Sequence, residues 1–167
     1  MSSYIYLLTL VHTAISLVAL VLGWPVISGF LHGRVSTWTF WFLVTAIACS
    51  VTGFLFPITV ITPGIVFGII ALVTLAIALY ARRAHYAGHL RWIYVATMVL
   101  NVYLLLVVTI VQSFQKIPFL NALAPTGAEP PVLIAQVIGL VAFLVLGVFS
   151  VIKFKGEFGG GVMPTPA

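Results

Sequence analysis

The stretch that decides the fold is Thr37–Ala81, TWTFWFLVTAIACSVTGFLFPITVITPGIVFGIIALVTLAIALYA, which contains no charged residue. As one helix it would be about 67 Å long, over twice the roughly 30 Å of a bilayer's hydrocarbon core. Pro57, Pro63 and Gly64 interrupt it. Proline removes a backbone donor and crowds the preceding turn, so it favours a break. The stretch therefore predicts a hairpin of two spans, about 37–56 and 64–81.

Working outward, three further apolar runs cover about 4–24, 91–113 and 132–152, the first disturbed by Pro25. Each is long enough to cross a membrane. The fold class expected is all-α: an integral membrane bundle of five transmembrane helices over residues 1–155. A Gly- and Pro-rich tail, 156–167, is expected to be flexible. Composition agrees, with 63% hydrophobic and 5% charged residues. Soluble domains carry about 25% charge, so a soluble enzyme, a nucleic-acid-binding module and a disordered regulator are excluded. Met-Ser-Ser-Tyr at the start lacks a basic n-region, and the first apolar run is expected to remain as a helix.

Charge predicts the orientation. Five crossings place Arg34, Arg82, Arg83, Arg91, Lys153 and Lys155 on one side and only Lys116 on the other. The positive-inside rule then puts the N-terminus outside and the C-terminus in the cytoplasm, in a cell inner membrane. Trp24, Trp38, Trp41 and Trp92 fall near the predicted cytoplasmic helix ends, where an interfacial belt belongs.

No charged side chain falls inside a predicted span, Asp is absent, and the acids Glu129 and Glu157 lie in a loop and the tail. This argues against ion-coupled transport and paired-carboxylate catalysis. His12 is the one ionisable group well inside a span, about 12 Å from the outer end of its helix. It suits a haem ligand, a quinone partner or a proton relay, and equally an interhelical hydrogen bond. Asn101, Gln136 and Ser50 lie at comparable or shallower depth, with Thr52 and Gln112. Converging with His12, they would form an outer polar pocket for a quinone head group or a small polar ligand. Otherwise each satisfies its own helix or a neighbour.

On the cytoplasmic side, His85 and His89 are four apart, one helical face, and His32 would supply a third imidazole. Three imidazoles can hold zinc or another transition metal, and headgroup contact is the alternative. His32 with His85 or His89 would also be the pair for a haem near the inner surface. Gly64/Gly68, Ala46/Ser50, Cys49/Gly53 and Ala135/Gly139 make small-xxx-small faces for close helix packing. The lone Cys49 reads as a packing residue. In the loop 115–131, Lys116-Ile-Pro-Phe-Leu-Asn-Ala-Leu is apolar enough for a short interfacial helix.

Arg91-Trp-Ile-Tyr, Asn101-Val-Tyr and the Gln112–Pro131 segment with its Ala-Pro-Thr and Glu-Pro-Pro elements carry a resemblance. The chain resembles a group of uncharacterised small multi-pass bacterial membrane proteins, which implies a helical membrane fold and no functional residue. Leu31-His32-Gly33-Arg34 and Thr52-Gly53-Phe54 are similar to small b-type membrane cytochromes, which implies haem b. The departure is that no paired histidines lie inside the spans.

The expected function is a non-catalytic accessory or assembly partner of other membrane components. A redox protein binding haem b or quinone, and a passive transporter or channel for a neutral solute, are the alternatives. The expected partners are the lipid bilayer and other membrane proteins, with no nucleic acid.

Overall fold

A computed structural model of the chain describes residues 3–57, 62–155 and 157–158. The elements run α1 (Ser3–Leu31), β1 (Arg34–Val35), α2 (Thr39–Gly53), α3 (Pro63–Arg83), α4 (Leu90–Lys116), α5 (Pro118–Leu123), α6 (Pro130–Lys153) and β2 (Glu157–Phe158). Most of the expected hairpin turn, 58–61, and most of the expected tail, 156 and 159–167, lie outside the described residues.

Among the described residues four helices are long and apolar enough to cross a membrane: α1, α3, α4 and α6. Where the sequence predicts a fifth full-length span, α2 has only 15 residues, about 22 Å. It begins late because Ser36 makes a turn, its carbonyl accepting from the Thr39 N–H and its hydroxyl from the Trp38 N–H. The turn that leads into it and its own last turn nevertheless meet opposite halves of α1: Gly29 packs on Arg34 and Ser36 before the helix, while His12 bonds to Thr52 near its end.

The first span is also longer than expected. The sequence ends it at Trp24, but α1 passes through Pro25 to Leu31. Proline costs one backbone hydrogen bond, which a packed membrane helix tolerates. The turn after it is clamped, with Val26, Ile27 and Phe30 all buried. Trp24 therefore lies about 10 Å short of the helix end. It remains half-exposed, as do Trp38, Trp41 and Trp92.

α4 is the central helix, packed on α1, α3, α5 and α6. Tyr94, Val95, Met98 and Val102 on it are fully buried. Among the glycines the tightest contact is between α1 and α4, where a Cβ added to Gly23 would lie 2.6 Å from Val102 Cγ1. Ala19 and Gly23 thus form a small-residue face, one that the four expected faces do not include. Three expected faces do meet neighbours: a Cβ on Gly139 would lie 3.3 Å from Leu106, one on Gly68 3.2 Å from Phe54 and one on Gly53 3.5 Å from His12. Close backbone approach supplies dispersion contact where lipid removes the hydrophobic drive between helices.

The basic ends of the helices converge. α3 stops in a double turn: Tyr86 N–H donates to Ala81 O and His85 N–H to Arg82 O. That is the Schellman pattern, and it requires a left-handed residue after the cap. Here His85 takes that conformation (φ 53°), followed by Tyr86 (φ 58°). The turn delivers the Tyr86 ring into an aromatic cluster. It lies 4.8 Å from Tyr94 and 5.7 Å from Phe154, and Phe154 is 5.2 Å from Phe30. One cluster so joins α1, α4 and the ends of α3 and α6. Burial pushes the Tyr86 phenol above its ordinary pKa, opposed by the Arg82 charge. Beside it β1 pairs in parallel with β2, Arg34 opposite Glu157. Two residues of the expected tail are therefore strand.

At the other end α5 is the short helix expected within 115–131. The chain then enters α6 through Thr126–Glu129. The Thr126 backbone N–H and hydroxyl both donate to Glu129 Oε1, at 2.9 Å each. The backbone bond first, then the hydroxyl, hold this carboxyl below its ordinary range.

Gly23→Ala should lower stability in detergent by about 1–3 kcal/mol, because β-branched Val102 has no free rotamer. His85→Gly should raise it by up to about 1 kcal/mol, since the exposed imidazole gains nothing from its left-handed backbone. Thermal unfolding of the two variants, followed by fluorescence, checks both signs.

Candidate functional site

The polar side chains of the spans are placed by their hydrogen bonds. His12 Nδ1 lies 2.9 Å from Thr52 Oγ1. The Thr52 hydroxyl donates its single proton to Ala48 O at 2.8 Å, so it accepts from histidine. His12 is therefore the Nδ1–H tautomer, joining α1 to α2, with its edge at 85° to Phe56. Nε2 is the nitrogen left for a haem iron or a quinol hydroxyl.

Asn101 is 2% exposed. Its Nδ2 donates to Thr74 Oγ1 on α3 at 2.9 Å and to Thr97 O on its own helix at 2.8 Å. Thr74 donates in turn to Ile70 O. Ser50 donates to Ala46 O, one turn back. Gln136 is half-buried on α6. Among the described residues no hydrogen bond joins His12, Asn101, Gln136 and Ser50 to one another. The expected outer pocket is divided between two helix pairs: His12 holds α1 to α2, and Asn101 holds α3 to α4. The carbonyl one turn back is always the nearest acceptor for a Ser or Thr in a helix, and it claims these hydroxyls.

The expected metal set is also dispersed. Among the described residues no three metal-ligating groups come together, so His32, His85 and His89 form no centre. The i, i+4 argument fails because α3 ends at Arg83 and α4 begins at Leu90. His85 sits in the left-handed turn. His89 stacks on Trp92 with rings 5.9 Å apart and 4° from parallel, and the Arg91 guanidinium lies 6.0 Å from the same indole. An imidazole and a guanidinium so share one interfacial Trp, an arrangement suited to headgroups.

His32 belongs to a different site. At the basic end an open groove of about 400 Å³ is lined by Leu31, His32, Gly33, Ile152, Lys153 and Lys155. It lies where the ends of α1 and α6 are laced together. Lys155 N–H donates to Gly33 O at 3.2 Å, and a Cβ on Gly33 (φ +79°) would press on Lys153 O. His32 Nδ1–H donates to Ser28 O at 2.7 Å, leaving Nε2 to the groove or solvent. The sequence marks Lys153 and Lys155 only as topology residues. Nothing in it says that residue 155 returns to residue 33, and the one signal is Gly33 itself, standing just after a helix.

No known protein family, curated protein or solved structure matches this chain, so no residue role is carried over from a relative.

The Asn101–Thr74 bond gives a direct test of its role as an interhelical tie. A double-mutant cycle of Asn101→Ala and Thr74→Val should give a coupling of about 0.6 kcal/mol, the ordinary value for such pairs in membranes. Unfolding of the four proteins in bicelles measures it, and strict additivity would show that the bond carries nothing.

Proposed function

We propose that this chain is a five-span inner-membrane protein that acts as a non-catalytic accessory or assembly partner of other membrane components. The observation carrying this is α6. Of its 24 residues only Val132, Gly139, Phe143 and Ser150 are buried. Ile134, Val137, Ile138, Val141, Leu144, Val145 and Val148 are each at least half exposed. This is a long apolar face on a helix already anchored to α4 and α1 by its other side. Meanwhile the polar groups inside the bundle, His12 and Asn101, are committed to holding helices together. A surface free for a second membrane protein and an interior spent on packing favour assembly over chemistry.

Counting α2 as the fifth span is supported by its contacts with both halves of α1. An apolar helix of about 22 Å crosses if the flanking residues or a locally thinned bilayer make up the difference. That arrangement keeps Arg34, Arg82, Arg83, Arg91, Lys153 and Lys155 together on the cytoplasmic side.

Two experiments check this reading. In a Cys49→Ala background, a cysteine placed at Ala128 should react with an impermeant maleimide in spheroplasts, and cysteines placed at Ser36 and at Ala87 only after lysis. Ser36 and Ala87 labelling from opposite sides would mean that α2 does not cross, and reversal at all three positions would overturn the orientation. A photo-crosslinking residue at Val141 should give a discrete adduct with another membrane protein, and one at Val102 none. Adducts with lipid alone would sink the accessory role.

A further inference from the structure

We propose that the groove between the ends of α1 and α6 is a binding site for a phosphate-bearing anion. Lys153 and Lys155 supply the charge, His32 a hydrogen bond, and Leu31 and Ile152 an apolar flank.

Charge balance comes first. Six of the seven Lys and Arg belong to this end of the molecule, while the chain has two acids in all. Glu129 is engaged with Thr126 and Ala128 before α6. Glu157 is then the one acid against the six cations of this end, which leaves it with a large positive excess for an anion to offset. The Lys153 ammonium lies 5.9 Å from the Phe149 ring, one turn back along α6. A cation held over an aromatic face keeps all its donors for a further partner.

Geometry comes second. The two exposed lysines stand on backbone that is tied to the end of α1 by the Lys155 N–H bond to Gly33 O. His32 is fixed as well. With Nδ1–H spent on Ser28 O, its Nε2 accepts from a P–OH or glycerol hydroxyl. The groove is amphipathic: charge and imidazole lie beside Leu31 and a 71% exposed Ile152. That pairing matches a phosphate with an apolar tail at the headgroup level. Phosphate is the shared chemistry, and an anionic phospholipid and free phosphate are its two sources. The site rests on this end lying at the membrane surface, but not on which way the chain faces.

The full-length protein is reconstituted in nanodiscs of phosphatidylcholine with a minority of phosphatidylglycerol, then analysed by native mass spectrometry after gentle extraction. The wild type should retain phosphatidylglycerol preferentially. Lys153→Gln/Lys155→Gln should retain about thirtyfold less, the loss expected for two lysine–phosphate contacts. Arg83→Gln/Arg91→Gln removes the same charge from the same end and should retain it as the wild type does. Gly33→Ala removes no charge but pushes the end of α6 away, and should also lose it. Lipid-stripped protein in detergent is separately titrated with inorganic phosphate. A thermal shift that Lys153→Gln/Lys155→Gln abolishes would assign the site to free phosphate, and retention of phosphatidylglycerol without that shift assigns it to lipid. Equal loss in both double variants, or retention of neither phosphate, would overturn the proposal. Melting curves confirm that each variant is folded. Nanodiscs expose both faces, so the outcome does not depend on the labelling result for topology.

Discussion

Inside hydrocarbon a peptide group has no water to bond, so every N–H and C=O of a crossing segment must be paired within that segment. The rest of the architecture follows from this. It forces α1, α3, α4 and α6 to be continuous helices, and it lets α1 carry Pro25 only because the following turn is packed. It also removes the usual drive for helices to associate, since lipid is as apolar as their side chains. What remains is contact at short range. Ala19 and Gly23 of α1 supply it by letting Val102 of α4 approach the backbone itself. α4 then serves as the post on which α1, α3 and α6 are assembled.

The same constraint explains where irregular backbone occurs. The left-handed residues His85 and Tyr86, the turn at Gly33 and the β1–β2 pair all lie beyond the helix ends, where unpaired groups meet water. These segments are not slack. Phe30, Tyr86, Tyr94 and Phe154 close the basic end with edge and tilted ring contacts, burying Tyr86 while the rest of the α3–α4 connection stays exposed or half-exposed. A rigid basic end is what turns Lys153, Lys155 and His32 from scattered surface groups into a groove.

The polar residues show how much of a membrane site can be read from a sequence. That His12, Ser50, Asn101 and Gln136 are uncharged polar groups in apolar runs is plain, and so is the need of each for a partner. Which partner is a matter of helix adjacency. His12 could face any neighbour until α2 is placed beside α1, and only then does Thr52 claim it. Asn101 had to be brought to Thr74, 27 residues earlier in the chain. The histidines 85 and 89 failed as a pair for a local reason: a helix ended two residues before the first of them. Their spacing had meaning only on a helix.

By itself the sequence determined that this is a helical membrane protein, because apolar runs of span length with almost no charge have no other stable form. It determined that the basic residues gather at helix ends, because a charge is costly in hydrocarbon. It marked Pro57 and Pro63 as breaks, and the structure starts helices at Pro63, Pro118 and Pro130, which lack the donor that a first turn leaves unused. Only the tertiary structure decided that α1 outlasts Pro25, that Gly23 packs directly on Val102, and that residues 33 and 155 meet. Those outcomes depend on which helix lies against which. In a bilayer that choice is set by shape and single hydrogen bonds between distant residues, not by the hydrophobic pattern that runs along the chain.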